Sequence, residues 1–298
     1  MMMKRLVAWC VAACLMAAAG VAMAEVRVVT TIPDFGAIAR EVGGAHVSVS
    51  AMVKPTQDPH FVDAKPSLML DLNHADLLLV AGMELESGWL PPLAGGARNG
   101  KIQRGAPGYL DCSTLIPPMQ VRAPDRSQGD IHPGGNPHYW TDPRNGIRIA
   151  RGIADRLAKI DPEHAGDYRT ATDAFVQRMD ARMVGWRKLL DPHKGTKVVV
   201  YHESWVYLLD WAGYQQVGEV EPKPGIPPKP AHVAELIRNV RGQGVKYVIQ
   251  ESFYPTQLSR IFAEKSGAQL KVLPTMVGAG GTNSYADLID RLVHELTS

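Results

Sequence analysis

Short apolar strands alternate with single helices along nearly the whole chain, and that order leaves few folds open. Stretches 26–31, 46–53 and 75–82 read as strands, and 35–42 and 66–71 between them as helices. After residue 196 the alternation returns, with strands at 197–201, 216–220, 245–250 and 269–273 and helices at 204–212, 231–241, 255–266 and 284–296. A strand that must cross back through a helix pairs in parallel, and helices then cover both sheet faces. The expected class is α/β, with two lobes that each carry a mainly parallel sheet flanked by helices.

Between the halves the pattern becomes purely helical. Asp142-Pro143 has the chemistry of a helix start, an aspartate cap followed by proline at the first helical position. Apolar spacing continues from there through Ile147, Ala150, Ile153 and Leu157. Asp161-Pro162 opens another helix, and no further proline occurs before Leu190, while Phe175, Met179, Met183 and Trp186 recur at helical intervals. A helix of that length spans roughly 40 Å and reads as a spine joining two lobes. The expected division is 25–160 for the first lobe, 161–191 for the spine and 192–298 for the second lobe. The proline-rich stretch 221–230 cannot be helix or central strand, and it reads as a rigid surface loop.

At the start of the chain, Lys4 and Arg5 precede an apolar run over 6–21 and then Ala22-Met23-Ala24, the layout of a secretory leader cut after Ala24. The mature protein is therefore expected in the periplasm. Val11-Ala12-Ala13-Cys14 offers a rival reading as a lipidation box, but the apolar run continues well past Cys14. Lys4 and Arg5 are two of the 32 basic residues, and without them the basic residues equal the 30 acidic ones. No electrostatic case for a nucleic-acid partner remains. Cys10 and Cys14 leave with the leader, so Cys112 is left without an internal disulfide partner. No second apolar run reaches the roughly 20 residues that span a bilayer, and a soluble mature chain is expected.

Three histidines stand where such a fold collects ligands. His60 lies in Asp58-Pro59-His60-Phe61, His138 in Asn136-Pro137-His138-Tyr139-Trp140, and His202 in Tyr201-His202-Glu203-Ser204-Trp205, directly after a strand. Side chains at the carboxyl ends of parallel strands converge on one crevice, and three imidazoles with one further donor make a tetrahedral shell suited to zinc. Taken singly, His60 could be an ordinary surface histidine and His138 one packed beneath aromatic rings. The positive helix terminus after His202 calls for a carboxylate nearby. Glu251, ending the strand at 245–250, is the favoured fourth ligand, with a role in orienting a ligating imidazole as its alternative. Glu203 reads as a helix-start acid pointing away. His132 is a candidate auxiliary contact on the loop of His138, whereas His46, His74, His164, His193, His232 and His294 read as solvent-facing and without partners.

The leader, the Asp58-Pro59-His60 loop, the stretch Asn136-Pro137-His138-Tyr139-Trp140-Thr141-Asp142-Pro143, the Tyr201-His202-Glu203-Ser204-Trp205 stretch and the spine together resemble the zinc- and manganese-binding periplasmic proteins of ABC importers. The resemblance covers essentially the whole mature chain. It implies metal bound between two lobes, delivery to a membrane permease and comparatively small lobe motion. His60, His138 and His202 match the three ligand positions of that family. Histidine at the third position is the pattern of zinc members, where manganese members more often carry glutamate, so Zn²⁺ is the expected cargo and Mn²⁺ the alternative. The chain is expected to act as a monomer and not as an enzyme.

Two departures stand out. Members of the family commonly carry an aspartate just after the last strand, but residues 273–278 hold no carboxylate, which leaves Glu251 or water as fourth donor. The loop before the second ligand is often long and rich in histidine, whereas here 122–135 has only Asp125, Asp130 and His132. The rival from another class is a secreted zinc-dependent hydrolase using the same histidines with Glu203 or Glu251 as base. Neither a His-Glu-x-x-His helix nor a serine or cysteine nucleophile motif supports it.

Overall fold

The computed structural model describes residues 25–123, 129 and 132–298. The expected leader, its cleavage point and the lipidation cysteine lie outside the described residues, as do Asp125 and Asp130. In the first half, β1 (Val26–Thr30), β2 (Val47–Ala51), β3 (Leu77–Val80) and β4 (Tyr109–Asp111) form a parallel sheet in the order β2-β1-β3-β4. In the second, β5 (Lys197–Val200), β6 (Gln215–Glu219), β7 (Val245–Glu251) and β8 (Gln269–Leu273) repeat that order as β6-β5-β7-β8, again parallel throughout. In each sheet the first strand has neighbours reached by crossovers in opposite directions. That reversal opens a crevice at the carboxyl ends of the strands.

The apolar strand runs are explained by burial on both faces. In β5 the side chains of Val198 and Val200 join the main core, while Val199 and the following Tyr201 face a second apolar cluster beneath α7 (Pro230–Val240) and α8 (Gln257–Ser266). The main core runs without interruption from the first sheet into the second half of the chain. Cys112 is buried and unpaired, and no helix among the described residues is long and apolar enough to cross a membrane.

Helices α1 (Pro33–Gly43), α2 (Pro66–His74) and α6 (Val206–Ala212) fall where the pattern places them. Two elements go beyond it: the three-residue β4, and α3 (Leu90–Gly96), which holds Pro91-Pro92 and Gly95-Gly96. Proline is tolerated in the first helical turn because the amides there lack intrahelical acceptors. Helix α4 (Pro143–Ile160) is capped as expected, with the Arg144 amide donating to Asp142 Oδ1 at 2.8 Å.

The spine helix α5 (Ala165–Leu190) has 26 residues and is preceded by a tighter turn over Pro162–His164. Its buried Tyr168, Thr172, Phe175, Met179, Trp186 and Leu190 recur at helical spacing along one stripe. That stripe packs on α1 and α4 and also on the C-terminal helix α9 (Tyr285–Thr297), where Trp186 Nε1 donates to Asp290 Oδ1 at 2.6 Å. One expectation fails here. His46 and His164 are not isolated: their rings stack with centroids 3.8 Å apart, and they pair with Asp167 and Asp161 at 3.0 and 2.7 Å.

The two halves are fastened by buried polar contacts. Trp140 Nε1 donates to the Thr275 carbonyl at 2.8 Å, the Tyr285 hydroxyl donates to the Trp140 carbonyl at 2.6 Å, and the Val277 amide reaches Asp34 Oδ1 at 3.3 Å. Burial pushes the Asp34 carboxyl up to about 8.

Candidate metal centre

Each of the three histidines is aimed by an oxygen held against its Nδ1. In Asp58-Pro59-His60, Asp58 Oδ1 accepts from the His60 amide at 3.0 Å and lies 2.7 Å from Nδ1. In Asn136-Pro137-His138 the same turn recurs, with Asn136 Oδ1 3.0 Å from both the His138 amide and its Nδ1. An Asx side chain that grips the backbone two residues on, with a proline between, fixes the turn and the ring together. His202 is held differently. It continues from the end of β5, and its Nδ1 lies 2.6 Å from Glu221 Oε2, just past the end of β6.

These acceptors place the ring proton on Nδ1 and leave Nε2 with a free lone pair. The rings converge. Their centroids lie 5.1 Å apart for His60 and His138, 5.4 Å for His60 and His202, and 5.2 Å for His138 and His202. A tetrahedral zinc with nitrogens at about 2.0–2.1 Å would set imidazole centroids about 5.2 Å apart, because each ring centre lies about 1.1 Å behind its nitrogen. Among the described residues these three form the one group of potential ligands whose donor atoms all lie within 4.8 Å of one another. All three are buried, and His202 Nε2 has no hydrogen-bond partner.

The electrostatics favour a cation's arrival. Burial, reinforced by the neighbouring imidazoles of His60, His202 and His132, holds His138 well below the usual imidazole range, so its ring is neutral. Asp58 is opposed by burial, yet its bonds to His60 and Tyr254 keep its carboxyl below the usual range. A ring held neutral in this way can take up a divalent ion without first losing a proton, and the Asp58 carboxylate adds negative charge behind His60.

Glu251 does not join the three histidines as the expected fourth donor. It ends β7 fully buried, neither carboxyl oxygen has a hydrogen-bond partner, and burial pushes its pKa up to about 8. Glu203 is on a tight turn as expected, with Oε1 paired to Arg122 Nη2 at 2.6 Å. Reading 221–230 as a surface loop missed Glu221, which is 4 % exposed and supplies the acceptor for His202. One signal could have found it: Glu221 is the first residue past the expected strand 216–220, at the same sheet edge as His202.

A family model described as zinc-uptake complex component A, periplasmic, matches residues 28–298. The chain belongs to this family. A high-affinity zinc uptake system protein ZnuA from Paracoccus denitrificans is 28 % identical, over 93 % of each chain. An iron-binding protein, YfeA of Yersinia pestis, is 25 % identical over 82 % of this chain and 75 % of its own. Among solved structures, a crystal structure of ZnuA shares the fold at a TM-score of 0.75 with 23 % identity, covering 92 % of this chain and 97 % of that one. A Mn-bound periplasmic metal-binding protein from Candidatus Liberibacter asiaticus superposes at 0.77 with 20 % identity, covering 92 % of this chain and 98 % of that one. Family membership agrees with two parallel sheets joined by a long helix, and with a solute-binding role rather than an enzymatic one.

Within this ZnuA-family site, Glu221→Gln is expected to weaken zinc binding by about tenfold to a hundredfold. It removes the negative charge that makes His202 a stronger donor while preserving the shape of the contact. Competition against a chromophoric chelator measures the effect, and unchanged affinity would show that Glu221 does nothing for the ring.

Proposed function

We propose that this chain captures zinc in the periplasm on the Nε2 atoms of His60, His138 and His202 and hands it to the membrane permease of an ABC importer. The observation that carries this reading is the tetrahedral spacing of three buried imidazoles, each already turned by an acceptor on its other nitrogen. Nitrogen donors rank zinc above manganese, which prefers carboxylates and water, so manganese is the second cargo. The leader 1–24, cut after Ala24, would deliver a monomer whose lobes, 25–160 and 192–298, are bridged by the spine at 161–191. The hydrolase alternative has no support, since the named relatives are uptake and metal-binding proteins and both candidate bases are withdrawn. Glu203 is paired with Arg122, and burial raises the pKa of Glu251.

Chelator-stripped protein titrated with Zn²⁺ and Mn²⁺ in competition tests the proposal. Zinc should displace manganese and raise the unfolding temperature, because an ion at a hundred times its Kd adds about 2.7 kcal/mol to the folded state. Absence of thermal stabilisation by either ion would sink the reading.

A further inference from the structure

We propose that His132 supplies the fourth nitrogen of the site, giving a shell of four imidazoles in place of three imidazoles and an oxygen. The inference rests on the three-histidine site and extends it to a donor that the other buried side chains leave missing. His132 Nε2 lies 3.3 Å from His60 Nε2, with ring centroids 5.3 Å apart. Two nitrogens on one tetrahedral zinc, each at about 2.0–2.1 Å, are about 3.3–3.4 Å apart, so the His60 and His132 pair already has the separation of one tetrahedral edge. With no ion present these two nitrogens can share one proton, and a cation bound by both takes that proton's place.

A small cavity adjoins these rings. His132, His138 and His202, with Gln120, Arg122, Asn136, Glu203 and Pro224 but without His60, line a cavity of about 10 Å³. That is room for about one water-sized occupant. The Nε2 of His202, a residue only 3 % exposed, has no hydrogen-bond partner. The His132 ring stands 6.4 Å from that of His138, about 1 Å more than a shared tetrahedron allows.

The backbone joins His132 to the turn of His138. Its carbonyl accepts from the Gly135 amide at 3.1 Å across a His-Pro-Gly-Gly turn, and Asn136, which aims His138, is tied to the Met119 carbonyl at 2.8 Å. The turn that presents His132 thus runs directly into the turn that presents His138. Four nitrogens at a compact site suit zinc, whereas manganese favours larger, oxygen-rich shells. His132 therefore acts as a specificity-determining ligand.

X-ray absorption on the zinc-loaded full mature protein counts the imidazoles directly, and His132→Ala and His132→Gln are measured beside it by chelator competition. The wild type should show four imidazoles, and both variants three with one oxygen, with zinc affinity lowered by about tenfold or more and manganese affinity nearly unchanged. Three imidazoles in wild type and variants alike would overturn the assignment of His132 while leaving the three-histidine site standing. Fewer than three in the wild type would overturn that site, and this assignment with it.

Discussion

Alanine at His138 is expected to weaken zinc binding by more than about a hundredfold and leave the metal-free protein folded. Losing a partner that merely orients a ligand costs about tenfold to a hundredfold, and loss of the donor atom itself must exceed that. The His138 ring is neutral and buried, and its Nδ1 partner Asn136 Oδ1 keeps the His138 backbone amide as a donor, so little is orphaned when the ring goes. His202→Ala should cost at least as much affinity, with a difference in the metal-free state. It strands Glu221 Oε2 in a buried pocket, and an unpartnered buried acceptor costs about 1–3 kcal/mol. Chelator competition paired with melting of the metal-free proteins separates the two effects. If both variants bind zinc as the wild type does, the centre lies elsewhere.

The second large effect is on stability. Trp140→Ala is expected to destabilise the metal-free protein by about 3–5 kcal/mol, the range for deleting a large buried aromatic. Trp140 is 1 % exposed, and its indole N–H fills the Thr275 carbonyl at 2.8 Å on the far side of the seam between the halves. Its ring also backs His138 at 5.5 Å between centroids, so zinc affinity should fall along with stability. Trp140→Phe keeps much of the apolar contact and loses the hydrogen bond, and it should recover part of both. Denaturant titration without metal gives the first quantity; a loss below about 1 kcal/mol would mean that the seam is held by other contacts.

How far the sequence reveals this molecule depends on how local each cause is. Strands β3 and β5 are legible because a strand buried on both faces is apolar at nearly every position, as Leu77-Leu78-Leu79-Val80 and Val198-Val199-Val200 show. Strand β4 is not, because three residues between turns carry no period. His60 and His138 are legible because an Asx-Pro-His turn encodes both the bend and the ring orientation within three residues. The partner of His202 is a different matter. Glu221 reaches it only because β6 lies beside β5, and the prolines that follow Glu221 suggest a surface loop. Glu251 is a related case: strand position places it at the right edge, but its complete burial cannot be read from position alone. The pairing of His132 with His60 likewise depends on how two loops meet, which no periodicity records.

The contact between Tyr254 and Asp58 has a mechanical consequence. Tyr254, just beyond β7, donates its phenol proton to Asp58 Oδ2 at 2.9 Å, while the other oxygen of that carboxylate steers His60. The first half's hold on the cargo is thereby latched to the second half. Any transporter that pries the halves apart unhooks the phenol and slackens the His60 ring in the same motion, so handover and opening become a single event.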